Sequence, residues 1–245
     1  MKELPKIYGF NELAEAGIRG GEKIYASAIF LGKCNLRCPY CMNSKLVFEQ
    51  YVKTVDLQVA KDCFDEGGCE MLMITGGEPT MACTKRLKNL IEEIKSWGCK
   101  VGISTNGLMS RRLKEIIKDL DYVAMDLKTS PLNYTTIGCL DISDTCKSLV
   151  KTINLLSRES LKRKDFCYEI RTTLYPPLVT EDMIRVMSSY IPDDATWALQ
   201  YYRKAKNMLD PKAYDVDPYS ESEIDDIIAL IRDSRPDINI EIRYV

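Results

Sequence analysis

Three cysteines lie close together in one short stretch of the chain, at Cys34, Cys38 and Cys41, and Tyr40 precedes the last of them. Thiolates are the preferred ligands of iron–sulfur iron, so three of them in one loop can hold a four-iron cluster whose fourth iron stays open to a substrate or cofactor. Half of a zinc site and a thioredoxin-type Cys-x-x-Cys pair are the alternatives. Zinc would need a fourth ligand in a chain without histidine, and a redox pair would not need Cys34. The spacing therefore favours an iron–sulfur cluster.

The cysteine and histidine content narrows the chemistry further. The chain has ten cysteines and no histidine, which excludes serine–histidine triads and histidine general bases. In an intracellular chain so many cysteines indicate thiol or metal chemistry rather than disulfides. The other seven are scattered singly and are predicted to be small buried hydrophobic residues, although Cys139 and Cys146 could meet each other or a second metal. Any catalysis must come from a cofactor or from Cys, Lys, Tyr and carboxylate side chains.

Length and charge predict the general class of protein. A chain of 245 residues with 45% hydrophobic and 29% charged residues fits one globular domain. The net charge of -2 gives no bulk electrostatic attraction to nucleic acid or to an anionic membrane. The first ten residues lack the apolar core of a signal peptide, and no run approaches the ~20 apolar residues of a membrane span. We therefore expect a cytoplasmic protein without a nucleic-acid or membrane partner.

Apolar segments of strand length alternate with helical patterns along most of the chain. Residues 1–22 are predicted to form a short lead-in, 23–203 the core, and 204–245 a C-terminal loop, helix and strand. Strands are predicted at residues 23–31, 69–75, 100–104, 122–125, 166–170 and 196–199. Helices are predicted at residues 54–66, 84–97, 110–118, 140–157 and 181–190. A last helix starts at the capping box of Ser220 and Glu223, and an edge strand covers residues 238–244.

Six consecutive strand–helix units predict parallel strands joined by right-handed crossovers. The predicted fold class is therefore α/β, a partial (β/α)6 barrel with a C-terminal helix and edge strand, in a single domain over residues 1–245. In such barrels the site lies where the carboxyl ends of the strands meet. Polar groups follow directly on all six strands: the cysteine loop, Gly76-Gly77-Glu78, Thr105-Asn106, Asp126 with Lys128, Arg171, and Gln200.

The glycine pair and the asparagine could bind a ligand or simply form turns. Gly76 and Gly77 can mark a turn, but at a strand end they let a ligand approach bare carbonyl groups, which accept from an ammonium group. Glu78 would add negative charge there. Asn106 precedes a glycine and is equally suited to a turn.

The charged residues have two interpretations as well. Asp126 and Lys128 lie two apart on a strand and therefore share a face. They could form an ion pair, or they could bind hydroxyl groups and a carboxylate at the barrel mouth. The same alternatives hold for Arg171.

The pairing of Cys34-x3-Cys38-x2-Cys41 with Gly76-Gly77-Glu78-Pro79 at successive strand ends resembles the radical S-adenosylmethionine (SAM) superfamily. Within that superfamily, the segments at 104–107, 126–128 and 171–173 resemble the activating enzymes of glycyl-radical enzymes. The later part is most similar to activating proteins of anaerobic ribonucleoside-triphosphate reductase. It comprises residues 168–173, 199–202, 209–211 and 218–220. The resemblance covers roughly residues 24–243.

The resemblance implies two cofactors and a set of residues that bind them. Cys34, Cys38 and Cys41 would hold a [4Fe-4S] cluster, and SAM would chelate the fourth iron. The remaining residues would bind SAM. The backbone of Gly76, Gly77 and Glu78 would receive its amino group, and Tyr40 would pack near its adenine. The ribose and the carboxylate would be held by Ser104, Asp126, Lys128 and Arg171, and Asn106 is the last residue expected to contact SAM.

The implied activity is that of a radical SAM oxidoreductase. It would cleave SAM reductively to a 5′-deoxyadenosyl radical and install a glycyl radical on a partner enzyme, with anaerobic ribonucleotide reductase as the expected partner and flavodoxin or ferredoxin as the electron donor. The alternative is a radical SAM enzyme for a small molecule or peptide, such as a deazaguanine-type synthase or a peptide maturase. A non-catalytic iron–sulfur sensor is a third, but it would not need Glu78, Asp126 and Lys128. An activase should keep the open side of its barrel free for a partner loop, whereas a small-molecule enzyme should close it.

Overall fold

A computed structural model describes residues 2–19, 22–50 and 53–244. Its centre is a single eight-stranded sheet in which the strands follow one another in chain order. The strands are β1 (Ile7–Arg19), β2 (Glu22–Leu31), β3 (Met71–Gly76), β4 (Lys100–Thr105), β5 (Tyr122–Asp126), β6 (Cys167–Leu174), β7 (Thr196–Tyr201) and β8 (Asn239–Arg243). β1 is antiparallel to β2, and every later neighbour is parallel. The sheet is therefore an open, mostly parallel partial barrel with β1 and β8 at its edges.

Helices connect the parallel strands. They are α1 (Ser44–Val47), α2 (Gln58–Asp65), α3 (Thr84–Ser96), α4 (Ser110–Ile116), α5 (Ile142–Lys162), α6 (Glu181–Ser188) and α7 (Glu221–Ser234), with 3-10 turns at Pro79–Met81, Ile117–Asp119, Pro131–Ile137 and Pro211–Asp215. The predicted capping box at the start of α7 is confirmed, since the Ser220 and Glu223 side chains bond each other's backbone N–H. Within the described ranges no helix is both long and apolar enough to cross a membrane.

The two faces of the sheet carry different side chains. One face packs on the helices, for example through Ile74 and Val101, which belong to the same buried cluster as Leu90 and Ile94 of α3. The inner face carries a smaller cluster of buried residues, namely Ala26, Ala28, Met71, Met73, Tyr122 and Ala124. These side chains pack against one another inside the barrel.

The α/β partial-barrel prediction is confirmed, but β1 was not predicted. Residues 1–22 were expected to be a lead-in, and the structure places a 13-residue strand within them. The pairing of β1 with β2 shifts register three times, between Ile7 and Gly9, Asn11 and Ala14, and Glu15 and Gly17. Each bulge breaks the two-residue alternation of side chains by which a strand is recognised in a sequence.

β6 also differs from the prediction, because it continues to Leu174 instead of ending at residue 170. Thr172, which follows the predicted end of this strand, has hydrogen-bond partners inside the sheet. The Thr172 hydroxyl donates to the Leu127 carbonyl at 2.9 Å and accepts from the Trp197 indole N–H at 3.0 Å. A threonine with such partners can stay in a buried strand. Arg171 consequently lies within β6 and not beyond its end.

Candidate functional site

A cavity of about 500 Å³ opens at the carboxyl ends of the strands. This volume lies in the range of small-molecule sites. All the residues predicted for the site except Arg171 line it: Cys34, Cys38, Tyr40, Cys41, Gly76, Gly77, Glu78, Ser104, Asn106, Asp126 and Lys128. The structure thus brings together residues that stand up to 94 positions apart in the sequence.

The cysteine loop, residues 32–43, is hydrogen-bonded to the short helix α1. The Lys33 N–H donates to the Leu46 carbonyl at 2.8 Å, and the Cys34 N–H donates to the Val47 carbonyl at 3.3 Å. On its other side, the Arg37 N–H donates to the Ile137 carbonyl at 2.7 Å. Helix α1 was not predicted, since four residues are too few for a periodic pattern.

The three thiols sit in a poorly solvated environment. Cys38 is buried, and Cys34 and Cys41 are partly buried. Burial raises the pKa of Cys34 to about 11 and that of Cys38 to about 12, so without a bound metal both are protonated at neutral pH. Among the described residues, no three His, Cys, Asp or Glu side chains converge as the ligands of one ion would. Each cysteine of a four-iron cluster binds a different iron, so this donor set fits a cluster better than a single zinc ion.

The two glycines allow the cysteine loop to approach the end of β3. The Gly77 N–H donates to the Leu31 carbonyl at 2.8 Å, and the next N–H, of Glu78, donates to the Lys33 carbonyl at 2.6 Å. A Cβ on Gly77 would lie 2.1 Å from the Lys33 carbonyl oxygen. Gly76 has a φ of +112°, which side chains with a Cβ rarely adopt. Only glycine fits at both positions.

Glu78 differs from the expectation of a charge left free for a ligand. Its side chain is buried and accepts four hydrogen bonds: one oxygen from the Thr80 N–H (3.0 Å), the Thr80 hydroxyl (2.5 Å) and the Thr105 hydroxyl (2.7 Å), the other from the Asn106 N–H (2.6 Å). Burial raises the pKa of Glu78, and these donors oppose that rise. The carboxylate therefore fixes the ends of β3 and β4 relative to each other.

Asn106 forms the turn that was one of the two roles predicted for it, and its side chain also bonds another loop of the protein. Its side-chain oxygen accepts from the Leu108 N–H at 3.1 Å, which is a turn. Its side-chain amide donates to the Asn35 side-chain oxygen at 2.7 Å. The second bond ties the end of β4 to the cysteine loop.

Asp126 and Lys128 form an ion pair at the end of β5, with 2.9 Å between the Lys128 Nζ and an Asp126 oxygen. Their side chains are 23% and 19% exposed, respectively, and both face the cavity. Burial alone would lower the pKa of Lys128, but Asp126, together with Tyr40 and Cys38, outweighs burial and holds that pKa well above its usual value. The pair offers a ligand both a fixed cation and a fixed anion.

Arg171 requires a correction, because it does not line the cavity. It donates to Glu169, two residues earlier on the same face of β6. Glu169 is fully buried and also accepts two bonds from Arg243 of β8, at 2.7 and 2.6 Å, and Arg243 in turn binds Glu241. Burial would raise the pKa of Glu169, but the two arginines outweigh it and lower that pKa. We refer to Glu169, Arg171, Glu241 and Arg243 as the buried ionic network.

An aromatic wall, which was only partly predicted, borders the cysteine loop. The ring of Tyr40 lies 5.2 Å from that of Tyr175 and 6.5 Å from that of Tyr202. The Tyr40 hydroxyl is buried and lies near Thr173, but it has no hydrogen-bond partner of good geometry among the residues that the structure describes. A buried polar atom without a partner is rare and indicates a missing ligand or water. Tyr175 and Tyr202 were not predicted as site residues, since aromatic residues after a strand give no specific signal.

Comparison with known families assigns the fold and the cavity to a class of proteins. The sequence model of the Radical SAM superfamily matches residues 28–188. The chain therefore belongs to the radical SAM superfamily. Enzymes of this superfamily use a [4Fe-4S] cluster and SAM, which are accordingly the cofactors of this protein.

Individual relatives are similar to different extents. A protein of Methanocaldococcus jannaschii named "Putative glycyl-radical enzyme activating enzyme" is 30% identical over 185 residues, which is 72% of this chain and 72% of that protein. A GTP 3',8-cyclase of Synechocystis is 25% identical over 139 residues, 54% of this chain and 41% of that enzyme. A 7-carboxy-7-deazaguanine synthase of Haemophilus influenzae is 34% identical over 98 residues, 40% of this chain and 41% of that enzyme.

Solved structures show the same fold. Streptococcus suis SuiB bound to the precursor peptide SuiA is similar with a TM-score of 0.61 at 15% identity, over 89% of this chain and 48% of SuiB. The enzyme anSMEcpe with bound AdoMet gives a TM-score of 0.52 at 18% identity, over 87% of this chain and 61% of that enzyme. The chain thus spans about half to three fifths of these structures, and the similarity concerns the fold alone.

Proposed function

We propose that this protein is an activating enzyme that installs a glycyl radical on a partner enzyme. The observation that carries this proposal is the extent of the similarity to the Methanocaldococcus jannaschii protein, which covers 72% of both chains. The matches to the cyclase and to the deazaguanine synthase each cover only 41% of the relative. The first match extends over most of both chains, whereas the other two are confined to less than half of the relative.

In this proposal Cys34, Cys38 and Cys41 are the ligands of the [4Fe-4S] cluster. They line one cavity, and none of the described groups of side chains offers a competing single-metal site. When bound, the cluster and SAM together supply an electron and a cleavable C–S bond, which yield the 5′-deoxyadenosyl radical that abstracts a hydrogen atom from the substrate. The protein's part is to hold the thiols, orient SAM and exclude water.

The SAM contacts are proposed from the same cavity. The backbone from Gly76 to Glu78 would accept from the amino group, and Ser104, Asp126 and Lys128 would bind the ribose and the carboxylate. Tyr40 would pack near the adenine, where its unpaired hydroxyl could also find a partner.

The side chains of Glu78 and Asn106, which already bond other parts of the protein, would position the strand ends instead of touching SAM. Arg171 would act only through the charge that it places beside Asp126, its neighbour in the strand register.

The proposed substrate is a backbone glycine in a loop of the partner, with anaerobic ribonucleotide reductase as the partner and a flavodoxin or ferredoxin as the electron donor. An open sheet supports this choice, because β1 and β8 stand at opposite edges. A loop of another protein can enter such a barrel, whereas a small substrate would be served better by a closed one.

The test is to incubate the reconstituted protein with SAM, a reductant and the anaerobic ribonucleotide reductase of its own host. We expect a glycine-centred radical in the electron paramagnetic resonance (EPR) spectrum, and none with the Cys41→Ala variant. A silent spectrum despite rapid SAM cleavage and a competent reductase would contradict the proposal. It would favour a small-molecule reaction like that of the deazaguanine synthases.

A further inference from the structure

A segment from the C-terminal part of the chain runs along the second half of the cysteine loop. We call residues 203–210, which follow β7, the strap. The Leu209 N–H donates to the Cys41 carbonyl at 2.9 Å, and the Asp210 N–H donates to the Pro39 carbonyl at 3.0 Å. The Asn207 side-chain amide donates to the Met42 carbonyl at 2.7 Å, across 165 positions of sequence. Three carbonyl groups around the last cysteine are therefore bound by one segment.

A fourth hydrogen bond runs in the opposite direction. The Ser44 hydroxyl donates to the Asn207 backbone carbonyl at 2.9 Å. Asn207 is thus bonded to both residues that flank Asn43, through its side chain on one side and its backbone on the other. Its side chain is exposed, so these bonds do not merely satisfy buried polar groups. These bonds restrain the cysteine loop at Met42 and the first residue of α1, Ser44.

The strap is itself fixed to the wall of the cavity. Met208 is buried, and so is Ala213 just beyond the strap. The Tyr202 hydroxyl donates to the Ala213 carbonyl and lies 3.4 Å from the Met208 sulfur. The ring of Tyr202 lines the cavity and lies 4.9 Å from that of Tyr175. A packed aromatic ring therefore links the strap to the inside of the site.

The two halves of the cysteine loop are supported differently. The first half is fixed by α1 and by Ile137, through the N–H groups of Lys33, Cys34 and Arg37. In the second half, the Cys41 N–H bonds within the loop, to the Cys38 carbonyl at 3.0 Å. The Asn43 side-chain amide donates to the Gly76 carbonyl at 3.1 Å, and the strap binds the carbonyls of Cys41 and of Met42, the residues closest to the last thiol.

We propose that the strap is a positioning element of the cluster site and that Asn207 is its main positioning residue. This inference rests on the proposed ligation of the cluster by Cys34, Cys38 and Cys41. The Asn207 amide holds the Met42 carbonyl, and with it the chain that follows Cys41, in the position from which the Cys41 thiolate would bind the cluster. Loss of that bond lets the second half of the loop move and exposes the cluster to attack.

The experiment compares reconstituted Asn207→Ala, Asn207→Asp and Ser44→Ala proteins with the wild type. Asn207→Asp keeps the shape of the side chain but replaces the amide that donates to the Met42 carbonyl by a carboxylate oxygen, which cannot donate. Asn239→Asp is the matched control, because Asn239 is also exposed and its amide donates to the Thr196 hydroxyl at 2.9 Å, at the other end of the sheet. The readouts are the rate of cluster loss to a ferrous chelator, the EPR spectrum of the reduced cluster, and thermal unfolding of the apoprotein.

We expect Asn207→Ala to lose its cluster about fivefold faster than the wild type, as the loss of one hydrogen bond implies, and Asn207→Asp to lose it at least as fast. Ser44→Ala should change the rate in the same direction, the cluster spectrum of the Asn207 variants should shift, and Asn239→Asp should match the wild type.

Wild-type release rates and spectra in the Asn207 and Ser44 variants would overturn the proposal, even if their apoproteins melt earlier. Four irons retained by Cys41→Ala would refute the ligand assignment and the strap's role with it. A silent glycyl-radical assay would leave the release rates unaffected and would refute only the activase function.

Discussion

Two acid–base pairs on neighbouring strands have the same sequence spacing but different surroundings. Asp126 and Lys128 stand at the end of β5, and Glu169 and Arg171 stand within β6. Asp126 and Arg171 are even partners in the strand register, so both pairs face the inside of the barrel. The first pair lines the cavity, whereas in the second pair Glu169 is fully buried and also accepts two hydrogen bonds from Arg243.

The difference shows that the role of a charged pair in this barrel depends on how far along the strand the pair lies. A pair at the carboxyl end meets the cavity and keeps free lone pairs and protons for a ligand. A pair that lies closer to the amino end of its strand is covered by the protein, and its charges must be matched by other protein groups. The buried ionic network joins β6 to the edge strand β8 and therefore serves the sheet, while Asp126 and Lys128 serve the cavity.

The largest expected effect is on stability, from Glu169→Gln. This change leaves the buried Arg243 and the partly buried Arg171 without their shared carboxylate, and we expect a loss of about 3–5 kcal/mol in the free energy of unfolding. Urea unfolding of the apoprotein measures it, with Asp126→Asn as the control that should lose much less. A Glu169→Gln protein within 1 kcal/mol of the wild type would remove the distinction between the two pairs.

The second prediction concerns binding at the cavity. Asp126→Asn removes the carboxylate proposed to bind SAM hydroxyls, and a hydrogen bond to a charged group is worth about 1.5–3 kcal/mol. We therefore expect SAM affinity to fall by roughly 10- to 150-fold, as measured by calorimetric titration, while iron content stays at the wild-type level. Unchanged affinity would show that the pair at the strand end is only structural.

The third prediction tests the close approach of the cysteine loop to Gly77, at the end of β3. Gly77→Ala places a methyl group against the Lys33 carbonyl, and such overpacking costs about 1–3 kcal/mol. The displaced loop should bind less iron on reconstitution. Gly9→Ala is the control, because its new Cβ would come no closer than 3.5 Å to its neighbours. Equal iron contents in the two variants would refute the role of Gly77.

The smallest expected effect is a pH dependence of the buried ionic network. The pKa of Glu169 is lowered in the folded protein, so its contribution to stability is present above its unfolded pKa of about 4.3 and is lost as pH falls through the lower folded value. The stability difference between the wild type and Glu169→Gln should therefore be constant near neutral pH and shrink below about pH 4. A difference that shrank on raising the pH from neutral would assign the effect to another group.

Local patterns in the sequence were sufficient to predict seven of the eight described strands and most of the cavity. The cysteine loop, the glycine pair, Asp126 and Lys128 each follow directly on an apolar strand, and parallel strands bring their carboxyl ends together. The remaining features depend on partners far away in the chain. Glu169 meets Arg243 across 74 positions, and Asn207 meets Met42 across 165.

Such long-range pairs leave no periodic signal in a single sequence. Arg171 was placed at the cavity because its strand was predicted to end at residue 170, and the buried bonds of Thr172 that prolong it were not visible. The bulges that hide β1 are a third example, since they destroy the alternation that identifies a strand.

The most direct test of the central claim, that the strand-end pair and not the buried pair meets SAM, is one affinity measurement on two matched variants. Lys128→Met and Arg171→Met remove one cation each, and Glu169 keeps its two bonds to Arg243 in the second. For reconstituted, folded proteins we predict that Lys128→Met weakens SAM binding at least ~10-fold, or roughly 1.4 kcal/mol, and that Arg171→Met stays within about twofold of the wild type. A loss of affinity in Arg171→Met equal to or larger than that in Lys128→Met would contradict the assignment.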